Sequence, residues 1–197
     1  MTKNRLEAFS DGVIAIIITV MVLELKAPHA PTLEALLELY PIFLSYVLSF
    51  IFIGIYWNNH HHLFHIVHHV TGGVLWANLH LLFWLSLVPF TTGWMGETHY
   101  ALWPVLVYGA NLLCCALAFT LLLRLLIHAN GKESALARAV GADWKGNVSI
   151  GIYALGIALA FVHPLLGIAC DVTVAVIWFI PDKRIERVMP LKETGTG

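Results

Sequence analysis

The sequence predicts an all-α membrane protein with six transmembrane helices, forming one unit over residues 1–197. Its composition is the first reason. Of the 197 residues, 59% are hydrophobic and 12% are charged, whereas a soluble domain carries roughly 25% charged residues. The net charge of −1 argues against a nucleic-acid-binding protein. Alternation of polar and apolar residues with period two is absent, so a membrane β-barrel is not expected.

Six apolar stretches are the second reason, because a spanning helix needs about 20 apolar residues. They lie at about residues 5–25, 39–57, 74–92, 101–127, 148–162 and 165–180. The fourth stretch is long enough to cross at a tilt. The fifth and sixth are short and are separated by His163 and Pro164, which indicates a tight helical hairpin.

The distribution of basic residues is the third reason. All Lys and Arg residues except Lys26 lie before the first span, around the fourth connection or after the sixth span. They are Lys3, Arg5, Arg124, Lys132, Arg138, Lys145, Lys183, Arg184, Arg187 and Lys192. The positive-inside rule therefore predicts a cell-membrane protein with both termini in the cytoplasm. Termini on the same side require an even number of spans, which agrees with six.

The first span carries acidic and hydroxyl groups at its start. The uninterrupted apolar run from Gly12 to Leu23 is too short to cross a bilayer, so the helix must begin near Arg5. Ser10 and Asp11 then lie at the membrane boundary or just inside it. A buried aspartate costs about 2.5–3.5 kcal/mol at the bilayer centre and less near the interface, so partners on other helices are expected. A simple helix N-cap is the alternative interpretation.

Three segments resemble the transmembrane-protein-175 family of potassium channels. The heptad from Arg5 to Asp11 fits an R-x-x-x-F-S-D signature. The stretch from Trp57 to His62 is similar to the family's tryptophan–histidine segment, and the stretch from Leu75 to Thr92 is similar to its third helix. The resemblance implies a passive potassium channel that assembles as a homotetramer. The pore of such a channel is central and is lined by the first helix of each subunit.

The resemblance also implies roles for individual residues. A network between helices would hold the start of the first helix; its expected members are Arg5, Phe9, Ser10, Asp11, Trp57, His61, Trp76 and Asn78. The constriction of the pore would consist of bulky aliphatic residues. Counting five residues on from Asp11 gives Ile16, and helical spacing then adds Val20 and Leu23.

Helical spacing supports this constriction independently. Ile16, Thr19, Val20 and Leu23 fall on one stripe of the first helix. Four copies around an axis would form hydrophobic rings with one hydroxyl layer, and such rings gate by dewetting. Packing of the stripe against lipid or another helix is the ordinary alternative. The sequence has no Thr-Val-Gly-Tyr-Gly filter and no arginine ladder, so neither a carbonyl cage nor a voltage sensor is expected.

A second functional hypothesis is a secondary transporter or metal-ion carrier. It would use the cytoplasmic histidines between His60 and His69 together with Asp171 in the last span. If the second helix continues, His61, His65, His68 and His69 share one face, which is a spacing that binds transition metals. A polar helix end is the simpler interpretation. No enzyme, bound metal or cofactor is expected, because no nucleophile–base pair or cofactor motif is present; potassium is expected as the permeant ion.

Overall fold

The computed structural model describes residues 2–131, 133–141 and 143–179, and all regular secondary structure in these residues is helical. A short 3-10 turn, Val22–Glu24, extends the first helix. The helices are α1 Lys3–Met21, α2 Leu33–Leu37, α3 Tyr40–Ile66, α4 Gly72–Ser86, α5 Val88–Glu97, α6 Leu102–Asn130, α7 Ala135–Val140, α8 Trp144–Ala160 and α9 Pro164–Phe179.

Four helical segments are long and apolar enough to cross a membrane. They are Lys3–Glu24, Tyr40–Ile66, Gly72–Glu97 and Leu102–Asn130, and they correspond to the first four predicted spans. α8 and α9, with 17 and 16 residues, occupy the predicted fifth and sixth positions. The count of six spans stays a prediction. Ile180, Lys132 and the basic residues from Lys183 onward lie outside the described residues.

The third predicted span is not one continuous helix, which corrects the expectation of a single helix over residues 74–92. α4 ends at Ser86 and α5 begins at Val88, with Leu87 at the junction. Pro89 explains the break, because it has no N–H to donate to the carbonyl of Leu85 and its ring clashes with that turn.

One end of the bundle, the histidine end, holds the start of α1 and the ends of α3 and α6. Lys3 Nζ donates to the carbonyl oxygen of His65 at 3.1 Å. Asn130 Oδ1 accepts hydrogen bonds from the backbone N–H groups of His68 and His69 at 3.0 and 2.9 Å. The connection from α3 to α4 is therefore anchored to the last turn of α6.

The opposite end, the Lys26 end, holds the end of the first helical segment, the start of α3 and the turn between α5 and α6. Lys26 Nζ pairs with Glu97 Oε1 at 3.3 Å. The hydroxyl of Tyr100 donates to the carbonyl oxygen of Pro41 at 3.0 Å. The four long segments consequently alternate in direction through the bundle.

Two hydrophobic cores hold the helices together. The first joins α1 to α3, α4 and the second half of α6, with Ile14, Phe64, Leu81 and Leu122 among its buried members. The second joins the middle of α3 to α5, the first half of α6, α8 and α9; its members include Phe52, Met95, Tyr108, Leu112 and Tyr153. α1 belongs to the first core alone, whereas α8 and α9 belong to the second.

Two helix contacts depend on glycine because the backbones approach closely. A Cβ atom at Gly156 of α8 would lie 2.8 Å from the Cβ of Cys170 on α9. A Cβ atom at Gly96 of α5 would lie 2.7 Å from the Cα of Ile42 on α3. Small residues allow such close packing between membrane helices.

Candidate ion pathway on the first helix

α1 has one face packed against its own subunit and one face that is open. The packed face consists of Leu6, Ser10, Ile14, Ile17 and Met21. The predicted constriction residues lie on the open face: Ile16 is 62% exposed, Val20 41% and Leu23 73%. An apolar stripe left uncovered in this way requires lipid or another protein surface against it.

The stripe follows the axis of the helix and ends in a tighter turn. Ile16 and Val20 are one helical turn apart, about 6 Å along the axis. Leu23 lies in the 3-10 turn Val22–Glu24, where each residue rises about 2 Å. The three aliphatic side chains therefore occupy about 10–12 Å of the axis.

Thr19 also faces outward, and its hydroxyl proton is hydrogen bonded to the backbone of its own helix. Its Oγ1 donates to the backbone carbonyls of Ala15 and Ile16, at 3.1 and 2.9 Å respectively. The oxygen therefore presents lone pairs, without a proton, to whatever lies on the open face. Such a group favours a cation over an anion.

A chain of buried hydrogen bonds fixes the first half of α1 to α3 and α4. Ser10 Oγ donates to the carbonyl oxygen of Leu6 at 2.9 Å, so it must accept from Asn78 Nδ2, which lies 2.8 Å away. Asn78 Oδ1 then accepts from His60 Nε2 at 2.8 Å. Ser10, Asn78 and His60 have no exposed surface.

This chain dictates the protonation state of His60. Because the Asn78 oxygen is an acceptor, His60 carries its proton on Nε2. The other ring nitrogen, Nδ1, is buried and has no hydrogen-bond partner among the described residues. A second proton there would place a charged N–H group without an acceptor, so His60 is neutral.

A second pair of contacts joins α1 to α3 beside this chain. Trp57 Nε1 donates to Asp11 Oδ1 at 3.0 Å. Glu7 Oε1 lies 3.2 Å from His61 Nδ1. The rings of Trp57 and His61 stack with their centroids 6.0 Å apart. The carboxyl groups of α1 thus face an indole and an imidazole on neighbouring turns of α3.

The structure brings together five of the eight residues predicted for the network: Ser10, Asp11, Trp57, His61 and Asn78. The other three are exposed. Within the described chain, the side chains of Arg5 and Trp76 form no hydrogen bond, and Trp76 is 75% exposed. Phe9 is 48% exposed. Contacts of these three residues would have to come from outside the subunit.

Sequence reasoning missed His60 and Glu7. A signal for His60 was present in the spacing of α3. Its buried positions Ile53, His60 and Phe64 follow one another at intervals of seven and four residues, which is the period of one helix face. Continuing that face through the histidine segment selects His60, whereas His61 lies on its edge.

The face of four histidines, which required the second helix to continue through His69, does not form, because α3 extends past its predicted end at residue 57 only as far as Ile66. α3 ends at Ile66 because Val67 adopts an extended backbone conformation. His68 and His69 therefore leave the helix, and only His61 and His65 stay on that face. No group of three or more potential metal ligands occurs among the residues that the structure describes.

Asp171 lies in the second core, away from α1. Its side chain is 2% exposed. Asn111 on α6 is also buried, and its Oδ1 has no hydrogen-bond partner in the part of the chain that the structure describes. The Nδ2 atom of Asn111 donates to Thr91 Oγ1 on α5 at 3.5 Å.

Comparison with known proteins gives consistent matches. Residues 5–89 match the family described as endosomal/lysosomal potassium channel TMEM175. A protein named potassium channel from Chryseobacterium sp. (strain P1-3) is 54% identical over 187 residues, covering 95% of this chain and 97% of the relative. A protein named potassium channel from Chamaesiphon minutus is 32% identical over 190 residues, covering 88% of this chain and 91% of the relative.

A solved structure agrees with these matches. It is the crystal structure of a lysosomal potassium-selective channel TMEM175 homolog from Chamaesiphon minutus, with a TM-score of 0.79 and 30% sequence identity. The alignment covers 90% of this chain and 96% of that chain. The similarity therefore extends over nearly the whole length of both proteins.

Proposed function

The chain belongs to the TMEM175 family, and we propose that it is a passive potassium channel whose ion pathway is lined by α1. One observation carries the location of the pathway. Ile16, Val20 and Leu23 turn away from their own subunit, while the opposite face of α1 is packed and hydrogen bonded. A helix held firmly on one side with an aliphatic stripe on the other is suited to meet copies of itself at an axis.

We infer a homotetramer with α1 of each subunit at the centre. Exposed aromatic side chains on α4 and α5 support extensive contacts with other subunits or lipid; they are Trp76, Phe83, Phe90 and Trp94. In this arrangement Arg5 and Phe9, which are exposed in a single chain, are available to a neighbouring subunit.

The proposed topology has six spans and cytoplasmic termini. Lys3 and Arg5 lie at the histidine end, and Arg124 acts electrostatically on Asp143 at the start of α8, so α8 also begins near that end. Trp178 near the end of α9 donates to Ser149 in α8 at 2.8 Å. α9 therefore returns to the histidine end, and the positive-inside rule assigns that end to the cytoplasm.

Gating by the aliphatic rings follows from their chemistry. Water leaves a narrow aliphatic passage readily, and an empty passage blocks ions. The Thr19 hydroxyl layer supplies lone pairs between the rings of Ile16 and Val20. The hydrogen bonds of Ser10 and Asp11 hold α1 against α3 and α4, so they set the position of its open face and hence the width of the passage.

Potassium flux from liposomes tests this proposal with two matched variants. Ile16→Asn places a polar group in the stripe, and we expect it to keep the passage hydrated and to raise the flux about ten-fold, equivalent to a barrier lowered by about 1.4 kcal/mol. Val22→Asn is the control. Val22 is also exposed, but it lies about 120° around the helix from Ile16.

The two variants separate a pore from a general effect. If both raise the flux equally, disturbance of the helix rather than the stripe is responsible. If Ile16→Asn has wild-type flux and selectivity, Ile16 does not line the pathway and the proposed location of the pore is wrong.

A further inference from the structure

We propose that Glu24 determines potassium conductance by placing an unpaired negative charge at the Lys26 end of the pathway. This inference rests on the proposed function, because it assumes that α1 lines the pore. Glu24 would add a charged side chain to a pathway that is otherwise lined by aliphatic and hydroxyl side chains.

Glu24 lies immediately after the constriction residues in the sequence. It is the residue after Leu23 and the last residue of the 3-10 turn. Its side chain turns back against α5, where Oε2 would lie only 3.1 Å from a Cβ atom at Gly93. The absence of a side chain at Gly93 therefore makes room for the carboxylate.

An open cleft connects this carboxylate to the pore stripe. The cleft has a volume of about 510 Å³ and is lined by residues that include Val20, Glu24, Phe90, Trp94 and Glu97. Val20 is one of the predicted constriction residues, so the carboxylate and the aliphatic stripe border the same space. An ion approaching Leu23 from the Lys26 end passes close to Glu24.

Glu24 also lacks a compensating positive charge. Lys26 is the nearest basic residue in sequence, but its ammonium group pairs with Glu97 at 3.3 Å. In the part of the chain that the structure describes, no Lys, Arg or His side chain lies within ion-pair distance of Glu24. Its negative charge is therefore available to attract cations.

Such a charge acts on the supply of ions to the pore. Fixed charges beside a low-dielectric passage raise the local concentration of the opposite ion. The Debye length falls from about 30 Å at 10 mM salt to about 3 Å at 1 M. The contribution of Glu24 should consequently be large in dilute potassium and disappear in concentrated potassium.

Single-channel recording of the purified full-length protein in planar bilayers tests this inference. In about 10 mM KCl we expect Glu24→Gln to lower the conductance about two- to five-fold, and in about 1 M KCl we expect no difference. The loss should be greater for potassium entering from the Lys26 end, which gives rectification. Glu24→Asp keeps the charge and should retain conductance close to wild type at both concentrations.

Glu34→Gln is the matched control, because Glu34 is an exposed acid on α2 that does not line the cleft. If Glu34→Gln and Glu24→Gln lower the conductance equally, the effect comes from general surface charge and the inference is overturned. Wild-type conductance of Glu24→Gln at low salt would also overturn it. In either case Ile16→Asn can still deregulate the flux, so the failure of this inference is distinct from failure of the proposed pore.

Discussion

Replacing Asn78 with alanine tests whether the buried chain from Ser10 to His60 holds α1 in place. The substitution removes the two 2.8 Å hydrogen bonds of the amide and leaves the N–H of His60 without an acceptor. A buried donor without a partner costs about 1–3 kcal/mol. Hydrogen bonds between membrane helices contribute about 0.6 kcal/mol on average and up to about 1.7. Because all three residues are fully buried, we expect a loss of about 2–3 kcal/mol.

Thermal unfolding of the purified protein in detergent, followed by tryptophan fluorescence, measures this loss. For a chain of this size each kcal/mol lowers Tm by about 2–4 °C, so Asn78→Ala should melt about 4–12 °C below wild type. Asn59→Ala is the matched control, because within the described ranges the side chain of Asn59 bonds only to the carbonyl of Ile55 in its own helix. Its Tm should change by less than about 2 °C.

A double-mutant cycle makes the test specific. Ser10→Ala removes one of the two bonds of Asn78, so the effects of Ser10→Ala and Asn78→Ala should not add. We expect a coupling of about 0.5–1.5 kcal/mol. Equal Tm values for Asn78→Ala and Asn59→Ala, or strict additivity in the cycle, would show that the chain does not anchor α1.

Three further outcomes are expected. Gly156→Ala should lower Tm because its Cβ would clash with α9, whereas Gly151→Ala, with open space around the new methyl group, should not; equal Tm values would exclude the close contact. Burial raises the pKa of Asp143 above its ordinary value of 3.8, so the folded state binds this proton more tightly than the unfolded state and stability falls as the pH rises above 3.8. Asp143→Asn should therefore flatten the dependence of Tm on pH, and an unchanged profile would contradict this assignment. Asp171→Asn should leave potassium flux uncoupled from protons and close to wild type, whereas abolished proton-coupled uptake would favour the carrier hypothesis.

The sequence was sufficient for the helical class and the family, and both are confirmed. It also nominated Ser10, Asp11, Trp57 and Asn78 as members of one network without pairing them. The structure places Ser10 against Asn78 and Asp11 against Trp57. The choice between His60 and His61 was harder, because six histidines lie within ten residues and residue type alone does not distinguish a buried ring from an exposed one.

Other features depend on information that hydropathy does not contain. The apolar run around Pro89 reads as one span, yet the missing backbone donor breaks the helix at Leu87. The end of α3 at Ile66 is marked by neither glycine nor proline, so the sequence left open whether the helix continues through the histidine segment. Trp76 is 75% exposed and forms no hydrogen bond with the residues that the structure describes, and contacts between subunits are not encoded in the periodicity of a single helix.

The two hydrophobic cores stabilise different helices of the subunit. The helix proposed for conduction is fastened in one core, and the α8–α9 hairpin is fastened in the other. Substitutions in the α8–α9 hairpin should therefore leave the width of the ion pathway along α1 unchanged. The turn after Ala160 is accordingly a suitable insertion point for a fluorescent reporter or an affinity handle, because its perturbation would be absorbed far from the permeation route.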